Sequence, residues 1–150
     1  MTINRMIKEL DSSCMQDIRR MFKEVFSATP WNEDWSDGEQ LDNYLKDLTE
    51  VRNPLVFGLF DEDDLIGFSI GRIKHWCGGP EYYIEEFCIR EDQQRKGYGR
   101  EFFSLMETEL KKRGLHSIYL TTERGMPAYE FYKKIGFKEL PVIAAFVKEF

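Results

Sequence analysis

The sequence predicts an α/β fold, in full an α+β mixed sheet with helices on both faces. Three observations predict it. Apolar residues recur at helical spacing in four separate segments, and strongly β-prone runs lie between those segments. A bare, basic turn, Gln93-Gln94-Arg95-Lys96-Gly97-Tyr98-Gly99-Arg100, joins a strand-like run to a long helical stripe.

Residues 1–10 read as a short strand. Asp11-Ser12-Ser13 then offer helix caps, and Met15, Ile18, Phe22, Val25 and Phe26 predict an amphipathic helix over 13–27. Thr29-Pro30 ends it. Leu41, Tyr44, Leu45 and Leu48 mark a second helix over 37–50, stopped by Asn53-Pro54. In LVFGLFDEDDLIGFSIGRIKHW two β-rich runs flank the acidic turn Asp61-Glu62-Asp63-Asp64, which makes a hairpin. Cys77-Gly78-Gly79-Pro80 turns into YYIEEFCIR, a strand over 82–90. The next helix covers about 98–113, with Phe102, Met106 and Leu110 on its stripe; Lys111, Lys112 and Arg113 suit its negative end, and Gly114 stops it. HSIYLTTE reads as a strand over 116–123. Pro127, Ala128, Phe131, Tyr132 and Ile135 give a final helix ending at Gly136, and FKEL and AAFVKEF are expected to close the chain as strands. The order is β-α-α-β-β-β-α-β-α-β-β, read as a single domain over 1–150 without repeats or linkers.

Composition narrows the function classes. With 42% hydrophobic and 32% charged residues the balance is that of a globular chain, and no apolar run is long enough to span a bilayer. The charged start lacks a secretion signal. Three cysteines without CxxC spacing (Cys14, Cys77, Cys88) argue against a disulfide framework or a cysteine zinc site, and for a reducing, cytoplasmic setting. His75 and His116 lie on separate segments, so no metal site is expected. A net charge of −6 disfavours nucleic acid, and neither nucleic acid nor membrane is expected as a partner. That surplus sits in one window: residues 31–50 hold seven acids and a single base.

The glycine-rich turn lacks the GxxxxGK[ST] string of a Walker loop, and Phe102 stands where a dinucleotide GxGxxG fingerprint needs its third glycine. What remains is physical. Amides from about Gln94 to Gly99 precede a helix without partners, Gly97 and Gly99 admit unusual dihedrals and close approach, and Arg95, Lys96 and Arg100 add positive charge. A pyrophosphate fits such a turn, and a purely structural tight turn fits it about as well.

Gln94-Arg95-Lys96-Gly97-Tyr98-Gly99 resembles the [QR]-x-x-G-x-[GA] acetyl-coenzyme A motif of the GCN5-related N-acetyltransferase (GNAT) superfamily. Phe87-Cys88-Ile89 is similar to that superfamily's pantetheine-binding strand, and Ala128 to Phe137 is similar to its A-x-x-[LF]-Y-x-x-x-G-F segment. The element order agrees, so the resemblance spans essentially the whole chain. It implies a GNAT-like acyl-CoA N-acyltransferase fold and acetyl transfer from acetyl-CoA to a primary amine by direct attack in a ternary complex. It also implies coenzyme binding by Phe87, Cys88, Ile89, Gln94, Arg95, Lys96, Gly97, Tyr98, Gly99 and Arg100. One departure stands out: Gly125 occupies the position where the superfamily often has Asn.

An alkyl ammonium must lose a proton before it attacks a thioester, so a carboxylate of raised pKa is expected nearby. Glu85 and Glu86 lie inside the apolar run YYIEEFCI. Strict alternation puts Tyr83, Glu85, Phe87 and Ile89 on one face and Tyr82, Ile84, Glu86 and Cys88 on the other. The resemblance favours Glu85 as base, with Glu86 second; the competing reading is a rim residue or ion-pair partner. Main-chain groups of Phe87 and Ile89 would face the reacting carbonyl if the next strand splays away. Cys88 reads as a packed thiol. Tyr132 matches the superfamily's tyrosine acid while also belonging to the core stripe of its helix, and Tyr129 is the fallback.

By resemblance the first two helices and their connection wall the acceptor site. There Trp31, Glu33, Asp34 and Trp35 interleave carboxylates with aromatic faces, which suits a small cationic amine such as a polyamine or aminoglycoside-like molecule. Two alternatives stay open: a peptide or protein amine as acceptor, and a non-catalytic acyl-CoA sensor. A homodimer is compatible with the sequence.

Overall fold

The computed structural model describes residues 5–150. The first four residues of the expected first strand lie outside them. Strand β1 (Arg5–Glu9) leads through a short 3-10 turn to α1 (Met15–Ser27) and α2 (Gly38–Thr49). Then come β2 (Pro54–Asp61), β3 (Asp64–Trp76) and β4 (Gly79–Ile89), α3 (Tyr98–Lys112), β5 (Ile118–Tyr119) and α4 (Pro127–Lys134). The sheet order is β1-β2-β3-β4-β5, antiparallel as far as β4 and parallel between β4 and β5.

The stripes expected for α1, α2 and α3 bury, with Met15 and Tyr44 covered only in part, whereas no residue of α4 is fully buried. Ile18, Met21, Phe22, Val25 and Phe26 of α1 and Leu41, Leu45 and Leu48 of α2 pack with Val56, Phe68, Ile70 and Cys88 on one sheet face. Phe102, Phe103, Met106 and Leu110 of α3 pack on the other, against Leu55, Phe57, Leu59, Ile66, Tyr82, Ile84 and Ile89. The period-2 alternation of β2 divides its side chains between these two cores, and in β3 an irregularity at Ile66 puts that residue in the α3 core while Phe68 and Ile70 lie in the other. At the start of α2, Asp37 accepts from the amides of Glu39 and Gln40, so one acid of the charged window serves as a helix cap.

Three expectations are corrected. First, alternation along β4 does not run through. In its pairing with β3, Ile70 faces Glu86 and Gly71 faces Ile84, so Glu85 is an extra residue, a β-bulge. Tyr82 and Ile84 therefore share the α3 face with Phe87 and Ile89, while Cys88 lies in the α1/α2 core. Gly71 makes room for this: a Cβ there would stand 2.6 Å from the Tyr83 carbonyl and 2.5 Å from the Tyr82 ring. Tyr82 is fixed by its hydroxyl, which donates to the Leu55 carbonyl at 2.9 Å and lies 2.9 Å from the Ser69 hydroxyl.

Second, the strand expected over 116–123 pairs only at Ile118 and Tyr119, opposite Tyr82 and Tyr83. Third, the closing strands expected at FKEL and AAFVKEF are absent among the described residues. The chain beyond Gly136 makes one turn at Leu140–Ile143, closed by the Ile143 amide on the Leu140 carbonyl at 3.1 Å, and is otherwise irregular. Gly125 takes a left-handed conformation (φ 84°) in the turn before α4.

Candidate functional site

Among the described residues the outer edge of β4 has no strand partner from Ile84 to Ile89, because β5 parts from it after Tyr83. Main-chain groups of Phe87 and Ile89 point to that edge. Arg90 donates its N–H to the Ile66 carbonyl of β3 at 2.8 Å, and direction alternates along an antiparallel ladder, so Ile89 and Phe87 face away from β3. One of these groups is already engaged: the Ile89 carbonyl accepts from Gln94 Nε2 at 2.9 Å. Gln94 thus ties the glycine-rich turn to the strand, and its own amide donates weakly to the Glu91 carbonyl at 3.3 Å.

After Gln94 the turn is built for exposed donors. Arg95 (φ 63°) and Gly97 (φ 83°) are both left-handed, and Gly97 stands at the start of α3. The Glu101 amide is the first to bond back into the helix, onto the Gly97 carbonyl at 3.2 Å. Among the described residues no well-formed hydrogen bond engages the amides from Arg95 to Arg100, and left-handed residues within such a run curve it into a concavity of the kind that suits an anion. Arg95, Lys96 and Arg100 are exposed around it. The two glycines differ in purpose. A Cβ at Gly97 would meet nothing, so that position needs glycine for its dihedral. At Gly99 a Cβ would stand 2.9 Å from the Phe131 ring, so that glycine lets α3 pack on α4. Tyr98 turns away from the concavity, its ring lying 4.6 Å from the Arg5 guanidinium, which also pairs with Glu101 at 2.7 Å.

The two glutamates sit in different surroundings. Glu85, on the bulge, lies 3.7 Å from Arg72 of β3. Glu86 accepts a 2.7 Å hydrogen bond from the Tyr44 hydroxyl of α2. Burial pushes the Glu86 carboxyl up to about 7; the Tyr44 hydrogen bond opposes that shift, and the charges of Glu33 and Glu85 reinforce it. Burial, then the bond to Glu86, raises the Tyr44 hydroxyl, which stays protonated as the donor.

Tyr44 was read from sequence as a core-stripe residue, yet it links the acidic window to β4. Its ring stacks on Trp35, with centroids 5.1 Å apart, and Trp35 Nε1 donates to Glu33 at 2.8 Å. The available signal was a tyrosine in an otherwise leucine stripe, since a half-buried phenol seeks a polar partner. Trp31 packs on Phe26. Asp34 faces inward on its own turn, accepting from the Ser36 amide at 3.0 Å and the Ser36 hydroxyl at 2.6 Å. Of the four window residues, Glu33 and Trp35 thus join the Glu86 cluster through contacts, and Asp34 does not.

Tyr132 packs its ring against Phe103, Phe131 and Phe137. Burial raises its hydroxyl, and the charges of Glu86 and Cys88 raise it further, which brings α4 electrostatically within reach of β4. Tyr129, by contrast, donates to Glu139 at 2.6 Å. Burial holds the Cys88 thiol well above its ordinary range, so it stays a protonated core group. A cavity of about 890 Å³ includes Tyr132 but neither glutamate nor any residue of the turn; β5, α4 and the segment after α4 line most of it. Among the described residues no three of His, Cys, Asp and Glu are grouped as metal ligands, and no helix is long and apolar enough to cross a membrane.

A family model described as the acetyltransferase (GNAT) family matches residues 15–137. No curated protein matches the chain. Several solved structures are similar in fold. A possible acetyltransferase from Clostridium difficile 630 superposes with a TM-score of 0.80 at 14% identity, over 99% of both chains. An aminoglycoside acetyltransferase, meta-AAC0020, from an uncultured soil metagenomic sample in complex with sisomicin gives 0.72 at 17% identity, over 97% of this chain and 96% of that one. AAC(6')-Iy in complex with the bisubstrate analogue CoA-S-monomethyl-acetylneamine gives 0.70 at 14% identity, over 97% and 99%.

Proposed function

This chain belongs to the acetyltransferase (GNAT) family, and from that membership we propose that it moves an acetyl group from acetyl-CoA to a small cationic primary amine, with Glu86 as the base. The carrying observation is the Glu86 carboxyl: buried, raised to about 7 and held by Tyr44 beside the open edge of β4. A base of that pKa is half-ionised near neutrality, where it both accepts a proton and persists in its accepting form. Glu85, first in line by resemblance, is instead drawn toward Arg72, which makes it the weaker candidate.

The residues present fit acetyl-CoA. The free amides of Arg95 to Arg100, with three cationic side chains around them, suit its diphosphate, and the unpaired edge at Phe87 suits an extended amide-bearing arm. When bound, the coenzyme supplies an activated thioester carbonyl. The chain's own groups do the rest. Glu86 takes the ammonium proton, directly or through one water, and the Phe87 amide donates to the carbonyl oxygen as charge develops there. Tyr132, held protonated by burial, returns a proton to the departing sulfur. Glu33 and Trp35, joined to Glu86 through Tyr44, offer the acceptor a carboxylate and an aromatic face. One fold neighbour, meta-AAC0020, is an aminoglycoside acetyltransferase in complex with sisomicin, which lends weight to a cationic acceptor.

The test is thiol release from acetyl-CoA with a panel of polyamines, aminoglycosides and amino-terminal peptides. Glu86→Gln is expected to lower kcat at least a hundredfold, Tyr132→Phe about tenfold, and Glu85→Gln only a few-fold, all with coenzyme affinity kept. A larger loss for Glu85→Gln than for Glu86→Gln reverses the assignment of the base, and turnover confined to peptides excludes the small-amine acceptor.

A further inference from the structure

Arg90 directly follows β4, between the open strand edge and the glycine-rich turn, and takes no part in the chemistry above. Its side chain makes five hydrogen bonds, as many as a guanidinium has N–H groups. Nε donates to Asp92 at 2.7 Å, and Nη2 donates to the second oxygen of the same carboxylate at 3.4 Å. On the opposite side Nη1 and Nη2 donate to the two oxygens of Asp64 at 2.9 and 3.0 Å, and Nη1 also donates to the Leu65 carbonyl at 3.0 Å. One planar fork thus grips two carboxylates, one on the β2–β3 turn and one on the 3-10 turn Glu91–Gln93. Arg90 holds both carboxyls below their ordinary range, so both stay ionised. Exposed ion pairs taken singly stabilise little, but a bidentate network of fixed geometry is the exception.

The clamp matters because of what it leads into. Only Gln93 and Gln94 separate Asp92 from Arg95, where the donor-rich turn begins. At about 3.8 Å between successive Cα atoms, a displacement of Asp92 is passed to that turn with little slack. The stretch between is itself pinned: the Gln93 amide donates to the Arg90 carbonyl at 2.8 Å, and Gln94 Nε2 donates to the Ile89 carbonyl at 2.9 Å. A turn whose amides face outward is not shaped by its own hydrogen bonds, so its left-handed residues Arg95 and Gly97 must be held from the two ends. Helix α3 holds one end. The Arg90 clamp holds the other.

Charge attraction is a poor alternative account of Arg90. The two turns it joins carry six acids, Asp61, Glu62, Asp63, Asp64, Glu91 and Asp92, and all but one of its donor contacts go to two of them. We infer, resting on the coenzyme reading above, that Arg90 is a positioning residue: by tying Asp92 to Asp64 it fixes the turn from Arg95 to Arg100 in the shape that receives the diphosphate of acetyl-CoA. Lysine does not substitute, because the three donors of one ammonium cannot lie flat against two carboxylates at once.

The test combines calorimetry with acetyl-CoA and trypsin cleavage after Arg95 and Lys96 in the coenzyme-free chain. Arg90→Lys keeps the charge and loses the fork; it is expected to weaken acetyl-CoA binding about tenfold and to speed cleavage at those bonds several-fold. Asp64→Asn loosens the clamp from the hairpin side, at a residue outside the proposed coenzyme and acceptor sites. By charge alone, removing an acid there would tighten the binding of a polyanion, whereas the clamp predicts binding about threefold weaker. Unchanged affinity in folded Arg90→Lys overturns the inference, even with a lowered Tm, since Arg90 would then serve stability alone. So does tighter binding by Asp64→Asn. Absence of acetyl-CoA binding in the natural chain would refute the coenzyme reading instead, and the cleavage rates would still show whether Arg90 shapes the turn.

Discussion

Replacing Glu86 by Gln keeps the size and the acceptor oxygen for Tyr44 while removing the titration. In the folded protein this carboxyl binds its proton up to about pH 7, against an ordinary 4.5. Between those values the folded state carries a proton that the unfolded chain has released, so stability falls as pH rises. Below the window Glu86 is neutral in both states; above it, the folded state bears the full cost of a buried charge. A difference of about 2.5 pH units at 1.36 kcal/mol each puts that cost at about 3 kcal/mol, an upper figure because the group keeps some solvent contact. The assay is urea denaturation of both proteins from pH 4 to pH 8.5. The stability of Glu86→Gln relative to the natural protein should be flat below pH 4.5, climb toward about 3 kcal/mol by pH 7, and then level off. Taking the difference cancels every other titrating group. A difference that stays constant across the range would falsify the claim that Glu86 is poised near neutrality, and the base assignment would go with it.

Other outcomes follow from the same geometry. Tyr44→Phe removes the hydrogen bond that opposes the raised Glu86 pKa, so the acidic limb of the kcat/KM profile should move upward by about 0.5–1 unit while the ring still stacks on Trp35. Turnover lost at pH 7 should be largely recovered at pH 8.5; a profile that drops without moving would show that Tyr44 acts by packing alone. Gly99→Ala presses a methyl onto a Phe131 ring already packed against Phe87 and Phe103, and should lower stability by about 1–3 kcal/mol, read as a drop in Tm. Gly97→Val places its Cβ in open space but forces a β-branched residue to φ 83°, so its effect should appear as loss of acetyl-CoA affinity in calorimetry, about tenfold or more.

How far the sequence can be read here depends on whether a feature is local. Helices α1 to α4 were legible because a 3.6-residue stripe, a cap such as Asp37 and a stop such as Gly114 act within a few residues of one another. The turn from Gln94 to Gly99 was legible for the same reason, down to the start of the helix at Tyr98. The bulge at Glu85 was not, since it arises where two strands meet; Gly71 on the opposite strand was its only trace in the chain. Tyr44 escaped notice because its partner lies 42 residues away. The strands expected after α4 satisfied local propensity, but a strand exists only where an edge receives it, and beyond Gly136 no such pairing forms among the described residues.

By itself the sequence determined the helices, the glycine-rich turn at the start of α3 and the presence of two adjacent glutamates on one strand. Which glutamate is buried, with which partner and at what pKa, was decided only in three dimensions. The physical reason is that desolvation and charge proximity depend on what lies across the sheet. One extra residue in β4 puts Tyr82 and Ile84 on the α3 face with Phe87, while Glu86 turns with Cys88 toward the α2 side and Tyr44, and Glu85 lies beside Arg72.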